Sequence, residues 1–394
     1  MNIALFADTF YPKSDGMSTS TQNLARTLAA QGHQVLVVAP KPKSFAQMDF
    51  TLPGVQILWL ESIPAGFYPQ LRLASWSPRL QAALHKFAPE LVHVMSPMPV
   101  SLTGMSYAKL HRLPIVATFH TYFMDPTYLQ VIKIDRASQL VEELGWDLAR
   151  SFHARAQVTI APSQFVADDL RARAFAEPIV TIPNGVTLEC PRVSPDKIAA
   201  LRERYHLGDA PVVVSVGRVS AEKNLDALVR VWQQVVARQP RAQLLIVGGG
   251  PALAHVKKLV ADLGLTDKIM FTGDINHQRV IADGYYHVGQ FFVTTSCSET
   301  QGMTSLEAQQ CGLPVVAFAQ KGLPFVVGEG GILQGDTDET KLAATIADLL
   351  SHPNKVDRLR AKIPANLRRF DLNETTRQTV AAYAQAADIL RARS

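Results

Sequence analysis

Cysteine is scarce in this sequence of 394 residues, which contains only Cys190, Cys297 and Cys311 and no CxxC pair. An odd number of widely separated cysteines argues against a disulfide framework and shows no zinc-ligand spacing. We therefore expect a reducing compartment and cysteines that pack as small apolar side chains.

Long apolar runs and blocks of like charge are missing as well. No uninterrupted apolar stretch approaches the roughly 20 residues that cross a bilayer, and Met1–Asp8 lacks the basic start of a signal peptide. The 39 basic and 34 acidic residues give a net charge of only +5, which argues against a nucleic-acid-binding protein. We expect a cytoplasmic protein that is at most peripheral on the inner face of the cell membrane.

Short apolar runs alternate with helical patterns along the whole chain, in a sequence that is 47% hydrophobic. This alternation predicts an α/β fold with mainly parallel sheets covered on both faces. The predicted strands are Ile3–Ala7, Gln34–Ala39, Val55–Leu60, Leu91–Val94, Ile115–Thr118, Val158–Ala161, Ile179–Ile182, Val212–Val216, Leu244–Val247, Ile269–Thr272, Phe291–Thr295 and Val315–Phe318. A turn-rich break near 183–186 predicts domains at 1–186 and 187–370, followed by a C-terminal helix at 371–394.

Two cations bracket a predicted helix start in the second domain. Arg218 and Lys223 follow the strand Val212–Val216 and precede an apolar helical pattern. The N-terminus of a helix favours anions, so cations there do not stabilise the helix. With the helix N–H groups they are suited to hold a diphosphate. The alternative is two surface cations, one of them paired with Glu222.

Two carboxylates flank a turn further along. Glu299 and Glu307 stand eight residues apart, with Gly302 between them and an apolar strand upstream. At the carboxyl end of a parallel strand, both carboxylates could accept hydrogen bonds from sugar hydroxyls. The alternative is that Glu299 caps the following helix and that Glu307 is a solvated helix residue.

Two candidate residues lie in the first domain. Gly16 stands in a loop before a helix, where the backbone can approach an anion or merely turn. His120 follows the strand Ile115–Thr118, either as a ligand-facing or as a structural side chain. In the second domain, the D-x-D sequence Asp336-Thr337-Asp338 precedes a helical pattern, so we interpret it as a cap and predict no metal site.

These motifs, together with Ala308–Val316, resemble the retaining GT-B glycosyltransferases of family GT4 over essentially the whole chain. The resemblance implies two Rossmann-like domains facing each other across a cleft, with the donor sugar nucleotide held mainly by the second. It also implies that the C-terminal helix crosses back to the first domain.

The resemblance further implies a role for each matching residue. His120, Glu299, Arg218 and Lys223 would be catalytic. The donor would be bound by Gly16, Arg218, Lys223, Glu299, Gly302, Met303, Thr304 and Glu307. Among these, Glu299 would hold the transferred sugar and Glu307 the ribose. No metal or other cofactor would be required.

Within the family, Ser298–Gly302, Ala7–Pro12 and Phe67–Pro69 are similar to bacterial diacylglycerol glucosyltransferases. This likeness implies UDP-glucose as donor and 1,2-diacylglycerol as acceptor. The sequence differs from the family pattern at Gly16-Met17, where many relatives have two glycines.

A basic, aromatic stretch supports a lipid acceptor. Residues 67–112 carry five basic residues against one acidic residue, a local net charge of +4, and such a stretch can lie on an anionic bilayer. The residues predicted to face the membrane are Phe67, Tyr68, Arg72, Trp76, Arg79 and Lys86. The alternative is an ordinary domain helix with a solvated basic edge. For function, the alternatives are a soluble sugar, polysaccharide or protein acceptor, and a non-catalytic nucleotide-sugar-binding partner.

Overall fold

The chain forms two compact units, Met1–Gly185 together with Asp371–Ser394, and Val186–Phe370. The structure, a computed structural model, describes residues 1–11, 15–43, 50–66, 72–122 and 138–393, without the side chains of 138–141. Phe67 and Tyr68, two of the residues predicted to face a membrane, lie outside the described residues.

The first unit contains a seven-stranded sheet in which all neighbouring strands are parallel. The strand order is β3-β2-β1-β6-β7-β8-β9. β6, β7 and β8 are buried along their whole length, as expected for a sheet covered on both faces. The strands of this unit, including a short antiparallel β4–β5 pair, are β1 (Asn2–Phe6), β2 (Gln34–Pro40), β3 (Val55–Leu60), β4 (Ile63–Pro64), β5 (Arg72–Leu73), β6 (Leu91–Val94), β7 (Ile115–Thr118), β8 (Val158–Ala161) and β9 (Ile179–Thr181).

The second unit contains a six-stranded parallel sheet in the order β12-β11-β10-β13-β14-β15. β10 and β14 are buried throughout, so this sheet also has two covered faces. Its strands are β10 (Val212–Val216), β11 (Gln243–Val247), β12 (Ile269–Phe271), β13 (Phe291–Thr294), β14 (Val315–Phe318) and β15 (Gly331–Gln334).

Helices connect the strands and cover both sheets. In the first unit they are α1 (Gly16–Ala30), α2 (Pro78–Phe87), α3 (Pro99–Leu110), α4 (Ser138–His153), α5 (Gln164–Ala172) and the last helix, α14 (Leu372–Arg393). In the second unit they are α6 (Pro195–Arg204), α7 (Leu225–Arg238), α8 (Leu253–Asp262), α9 (His277–Ala282), α10 (Met303–Gln310), α11 (Leu323–Val327), α12 (Glu339–Ser351) and α13 (Pro353–Leu367). Short 3-10 turns lie at Ala221–Lys223, Tyr286–Val288, Gly328–Gly330 and Arg368–Phe370.

The prediction of an α/β fold with two parallel sheets is confirmed, and two local features were missed. The β4–β5 pair is only two residues per strand. β15 begins at Gly331 and is half-buried at every position, so it shows no apolar run. Asp338 caps α12 by accepting hydrogen bonds from the N–H groups of Thr340 and Lys341, as the capping interpretation of the D-x-D sequence predicted.

α14 belongs to the first unit and packs against α1, β7 and β8. Tyr383 is buried, and its hydroxyl lies 2.8 Å from Nδ1 of His93 on β6. The other ring nitrogen, Nε2, lies 2.7 Å from Oγ1 of Thr118 at the end of β7. Burial lowers the pKa of His93 to about 3, so the imidazole is neutral and bridges the helix to the sheet.

Replacing Tyr383 by phenylalanine is expected to lower the free energy of unfolding by about 1–3 kcal/mol, because Nδ1 of the buried His93 loses its partner. Urea unfolding followed by circular dichroism measures the change. Tyr107 on α3 is the matched control: it is half-buried, and Tyr107→Phe should change the free energy by no more than about 0.5 kcal/mol. Equal losses in the two variants would contradict a specific role for Tyr383.

The apolar side of α2 faces the interior of the first unit. Leu80 and Leu84 are each 1% exposed and belong to a core cluster with strand residues such as Val92. The sheet therefore covers the apolar side of α2, and that side is not available to a membrane. Among the described residues, no helix has the length and apolar character that crossing a membrane requires.

Candidate functional site

The centre of the second unit's sheet is a switch point, where chain connections leave in opposite directions. β10 lies between β11 and β13, and the chain runs outward from it on both sides. Ligands of open α/β sheets bind at the carboxyl ends of the strands at such a point. Arg218 and Lys223 follow β10, and Glu299 follows β13, so the sheet places these predicted residues at its switch point.

Hydrogen bonds join the loops that follow these two strands. The hydroxyls of Ser296 and Ser298 donate to the carbonyl oxygen of Glu222, at 3.3 and 3.2 Å. The Thr295 hydroxyl donates to the carbonyl oxygen of Asn224 at 2.8 Å. Asn224, in the left-handed region at φ 51°, ends the 3-10 turn and starts α7. The Lys223 backbone is thus fixed against the Glu299 loop.

Lys223 and Glu299 form an ion pair, with 2.5 Å between Nζ and Oε1. The side chains are 25% and 14% exposed. Burial by itself would raise the pKa of Glu299, but the Lys223 charge and hydrogen bond, together with Ser296 and Lys321, hold it below its usual value. Glu299 is therefore a carboxylate at neutral pH.

The contacts of Lys223 and Glu299 contradict the alternative roles, in which a cation pairs with Glu222 and Glu299 caps the following helix. Lys223 pairs with Glu299 rather than with Glu222, whose buried side chain accepts a hydrogen bond from Ser220 Oγ at 2.5 Å. α10 begins at Met303 with Gly302 as its N-cap residue and no side-chain cap, so Glu299 does not cap that helix.

Glu307 lies on α10 and is only 3% exposed, so the alternative of a solvated helix residue is wrong. His277 Nε2 lies 2.8 Å from Oε1, and the Tyr286 hydroxyl donates to Oε2 at 2.9 Å. Burial and the neighbouring Glu307 charge raise the pKa of Tyr286 well above its usual value, which keeps it a donor. His277 and Tyr286 were not predicted from the sequence, because neither stands in a recognisable motif.

The turn before α10 depends on Gly302, which has φ 95°, in the left-handed region that favours glycine. Its carbonyl oxygen accepts from the N–H groups of Ser305 and Leu306. Met303 is buried and Thr304 half-buried in the first turn. The first N–H groups of α10 therefore have no side-chain cap and can bind an anion.

Gly322 supports the same turn from outside the motif. Its N–H donates to the Glu299 carbonyl oxygen at 2.9 Å. A Cβ atom on Gly322 would lie 2.2 Å from the Thr300 carbonyl oxygen, closer than any normal contact. The Glu299 loop can therefore hold its position only while residue 322 lacks a side chain.

Gly322→Ala is expected to reduce the activity of this site at least about tenfold, because the Cβ must displace the loop that positions Glu299. Gly335→Ala is the matched control, since a Cβ there meets nothing within 4 Å and its activity should equal that of the unmodified protein. Initial rates and thermal unfolding are measured for both variants. Unchanged activity in Gly322→Ala would show that the close approach has no functional consequence.

Gly16 and His120 belong to the first unit. Gly16 is the exposed first residue of α1, which Asp15 caps by accepting from the Ser18 N–H at 2.8 Å. His120 is half-buried just after β7. Burial lowers the pKa of His120 to about 4, and the Asp15 charge offsets only part of this shift. The imidazole is therefore neutral at physiological pH, and α1 and His120 are electrostatically coupled.

A pocket in the first unit brings His120 and α1 together. The pocket is small and partly open to solvent, and it lies between side chains of α1, the sheet and α14. Ser20 of α1, His120 and Asn184 contribute to its lining, and the Ser20 hydroxyl donates to Asn184 Oδ1 at 2.5 Å. His120 therefore lies on the same pocket as the first turns of α1.

Asp8 occupies the switch point of the first sheet, between β1 and β6, and sequence reasoning assigned it no role. Its buried carboxylate accepts from the hydroxyls of Ser96 and Ser101, both at 2.7 Å. It also accepts from the N–H groups of Val100 and Ser101 at the start of α3. Burial raises its pKa although these hydrogen bonds oppose the shift. Asp8 therefore fixes α3 on the sheet.

The described residues of the predicted membrane-facing stretch differ in exposure. Trp76 is 59% exposed, and Arg79 and Lys86 are also exposed. Arg72 is half-buried, and its Nε donates to the Lys41 carbonyl oxygen at 2.9 Å and to Ser62 Oγ at 2.7 Å. Trp76, Arg79 and Lys86 can therefore meet a partner, whereas Arg72 holds the chain around β4 and β5.

The fold is that of a GT-B glycosyltransferase. Two family models match the chain: "Glycosyltransferase Family 4" over residues 14–189 and "Glycosyl transferases group 1" over residues 197–365. The chain belongs to the GT4 family of glycosyltransferases. The prediction of a nucleotide-sugar-dependent hexosyltransferase is thereby confirmed.

Three relatives cover most of the chain. Alpha-monoglucosyldiacylglycerol synthase of Streptococcus pneumoniae is 28% identical over 359 residues, 89% of this chain and 78% of the relative. A sulfoquinovosyl transferase of Arabidopsis thaliana is 30% identical over 366 residues, 88% and 67% of the two chains. A GDP-mannose-dependent phosphatidylinositol monomannoside mannosyltransferase of Mycolicibacterium smegmatis is 27% identical over 369 residues, 89% and 90%.

Solved structures share the fold. Sucrose-phosphate synthase of Thermosynechococcus elongatus matches with a TM-score of 0.79 at 24% identity, covering 100% of this chain and 99% of that one. HepE of Anabaena, in complex with UDP and glucose, matches with a TM-score of 0.76 at 21% identity, covering 97% and 99%. At this identity the likeness establishes the fold alone.

Proposed function

We propose that this enzyme transfers glucose from UDP-glucose to 1,2-diacylglycerol at a membrane surface, with retention of configuration. The observation that carries the donor half of this proposal is the Lys223–Glu299 ion pair at the β10/β13 switch point, with Arg218 on the same loop. One place on the sheet then offers positive charge for a diphosphate and a carboxylate for sugar hydroxyls.

Arg218 and Lys223 bind the donor diphosphate and stabilise the negative charge that develops on it as the glycosidic bond breaks. Such preorganised electrostatic stabilisation is usually the largest contribution to catalysis. The Lys223 ammonium has three N–H donors, so its bond to Glu299 leaves two for phosphate oxygens. The two cations supply the positive charge that a divalent metal ion supplies to the diphosphate in other enzymes. We therefore propose that the reaction needs no metal.

Glu299 and Glu307 bind the parts of the donor other than its diphosphate. Glu299, ionised and partly exposed, accepts hydrogen bonds from the hydroxyls of the transferred sugar. Glu307 binds the ribose, and His277 and Tyr286 hold its two oxygens in place. The start of α10, at Gly302, Met303 and Thr304, lies between the two carboxylates and offers its N–H groups to the donor.

The first unit supplies contacts to the reacting sugar and the phosphate. His120 is neutral and lines a pocket, so it can donate to or accept from a sugar hydroxyl without adding charge. Gly16, exposed at the start of α1, offers a backbone N–H to the phosphate.

A lipid acceptor is supported by the relatives and by the surface of the first unit. The name of the Streptococcus relative gives a glycolipid that it synthesises, and the name of the Mycolicibacterium relative includes a phosphatidylinositol mannoside. Trp76, Arg79 and Lys86 are exposed and combine an aromatic ring with positive charge, which suits an anionic interface. We propose that the enzyme is peripheral on the inner face of the membrane and that these side chains contact the lipid surface.

A second candidate is a soluble acceptor, favoured by the buried apolar face of α2, since Leu80 and Leu84 leave that helix no lipid-facing side. A matrix of donors and acceptors separates the candidates. UDP-glucose, UDP-galactose and GDP-mannose are each combined with diacylglycerol vesicles, phosphatidylinositol vesicles or soluble sugars, and products are identified by mass.

A hexosyl-diacylglycerol formed from UDP-glucose is the expected product. Product on soluble sugars alone would refute the lipid acceptor, and a product only with GDP-mannose would refute the donor.

Co-sedimentation with anionic vesicles tests whether the surface around Arg79 and Lys86 binds a membrane. The double variant Arg79→Ala/Lys86→Ala should bind vesicles less than the unmodified enzyme does. The double variant Arg358→Ala/Lys362→Ala on α13 serves as the charge-matched control.

A further inference from the structure

Three metal-ligating side chains from distant parts of the sequence meet in the second unit. Cys190, His287 and Cys311 each offer a ligand atom, and these atoms all lie within 4.8 Å of one another. Cys190 Sγ and His287 Nε2 are 3.8 Å apart. None of the three belongs to the predicted donor-binding residues, and their spacing in the sequence matches no known metal-binding motif.

We propose that Cys190, His287 and Cys311 bind a thiophilic divalent cation of the zinc type, with a fourth position left for water. Zinc in proteins binds thiolate sulfur at about 2.3 Å and imidazole nitrogen at about 2.0–2.1 Å, in tetrahedral geometry. Those lengths separate a sulfur from a nitrogen ligand by about 3.6 Å and two sulfurs by about 3.8 Å. The observed separations require only small side-chain movements to reach these values.

Charge and surroundings suit such an ion. Two thiolates and a neutral imidazole balance a divalent cation, so the complex is neutral. Cys311 belongs to an apolar cluster against which Cys190 packs, where a neutral complex is far less costly than separate charges.

The positions of the ligands provide both access and rigidity. Cys190 and His287 are half-buried and Cys311 is buried, so an ion can enter from the Cys190 side. His287 lies in the 3-10 turn before β13, and Cys311 directly follows α10. His287 Nε2 is the ring nitrogen that lies 3.8 Å from Cys190 Sγ, so we assign it as the coordinating atom.

The experiment titrates Cd²⁺ or Co²⁺ into the full-length protein after reduction and removal of metal by a chelator. Thiolate-to-metal charge-transfer absorption should saturate at one equivalent. Cys190→Ser and Cys311→Ser should bind at least about tenfold more weakly, because even groups that merely support a ligand contribute 10–100-fold to metal affinity. Cys297→Ser is the matched control, since Cys297 lies outside the cluster, and it should bind like the unmodified protein.

Thermal unfolding gives a second readout. One Zn²⁺ equivalent should raise the Tm of the unmodified protein and of Cys297→Ser but not of Cys190→Ser, because a ligand stabilises only the state that binds it. Circular dichroism verifies that each variant is folded. A missing charge-transfer band, full affinity in Cys190→Ser, or loss of binding in Cys297→Ser would each overturn the proposal. So would a Cys190–Cys311 disulfide whose reduction yields no metal binding.

Discussion

Replacing Lys223 by alanine is expected to lower the transfer rate by a factor of about 10²–10³, with the loss mainly in kcat. Removing one preorganised group that stabilises developing negative charge has an effect of this size in other enzymes. The same change removes the main charge that opposes the burial of Glu299, so the pKa of that carboxyl should rise. Initial rates measured from acidic to neutral pH give both quantities.

The sign of the pH effect follows from the ion pair. In the unmodified enzyme the pKa of Glu299 lies below its usual value, so the carboxylate persists as the pH falls below the usual carboxyl range. In Lys223→Ala the acid limb of the residual activity should therefore move to higher pH. Lys341→Ala is the matched control, because Lys341 is 58% exposed and pairs with Asp336 at the start of α12.

Two outcomes would contradict this assignment. Activity of Lys223→Ala within about threefold of the unmodified enzyme would remove Lys223 from the catalytic residues. An equal loss in Lys341→Ala would indicate a general effect of charge rather than a site effect.

Replacing Glu307 by glutamine is expected to weaken binding of the nucleoside diphosphate by about 10–100-fold, with little change in fold. Hydrogen bonds to a charged group contribute about 1.5–3 kcal/mol, and 1.4 kcal/mol corresponds to a factor of ten. Glutamine keeps the shape of the side chain and one oxygen acceptor for His277 or Tyr286. Titration calorimetry with UDP, and separately with GDP, measures the change.

Glu299→Gln is the informative comparison, because Glu299 is assigned to the sugar that UDP and GDP lack. Its affinity for the diphosphate should stay within about threefold of the unmodified enzyme, while its transfer rate falls. If Glu299→Gln and Glu307→Gln weaken diphosphate binding equally, the division of the donor between the two carboxylates is wrong.

Single residues show how much of the candidate site could be predicted from the sequence. The strands β10 and β13 were predictable because they are short apolar runs, and Arg218, Lys223 and Glu299 were predictable because they lie in the loops that follow such runs. His277, Tyr286 and Gly322 were not, although they contact Glu307 and the Glu299 loop. Their contacts depend on which elements become neighbours, and no local pattern encodes that.

The amphipathic pattern of α2 shows a second limit of local sequence. Leu80 and Leu84 stand at helical spacing, which indicates an apolar face, but the spacing does not tell what covers that face. The structure covers it with the first unit's own sheet, because burying it in the unit's core removes the same apolar area from water that a membrane would.

The sequence by itself determined the class of fold, the family and the charged residues at the strand ends, since local periodicity and contiguous motifs carry that information. Only the tertiary structure decided the pairing of Lys223 with Glu299, the burial of Glu307 between His277 and Tyr286, and the meeting of Cys190, His287 and Cys311. These contacts join residues 21 to 121 positions apart, and residues so distant in sequence meet only when the strands pair in the sheet and the segments that connect them become neighbours.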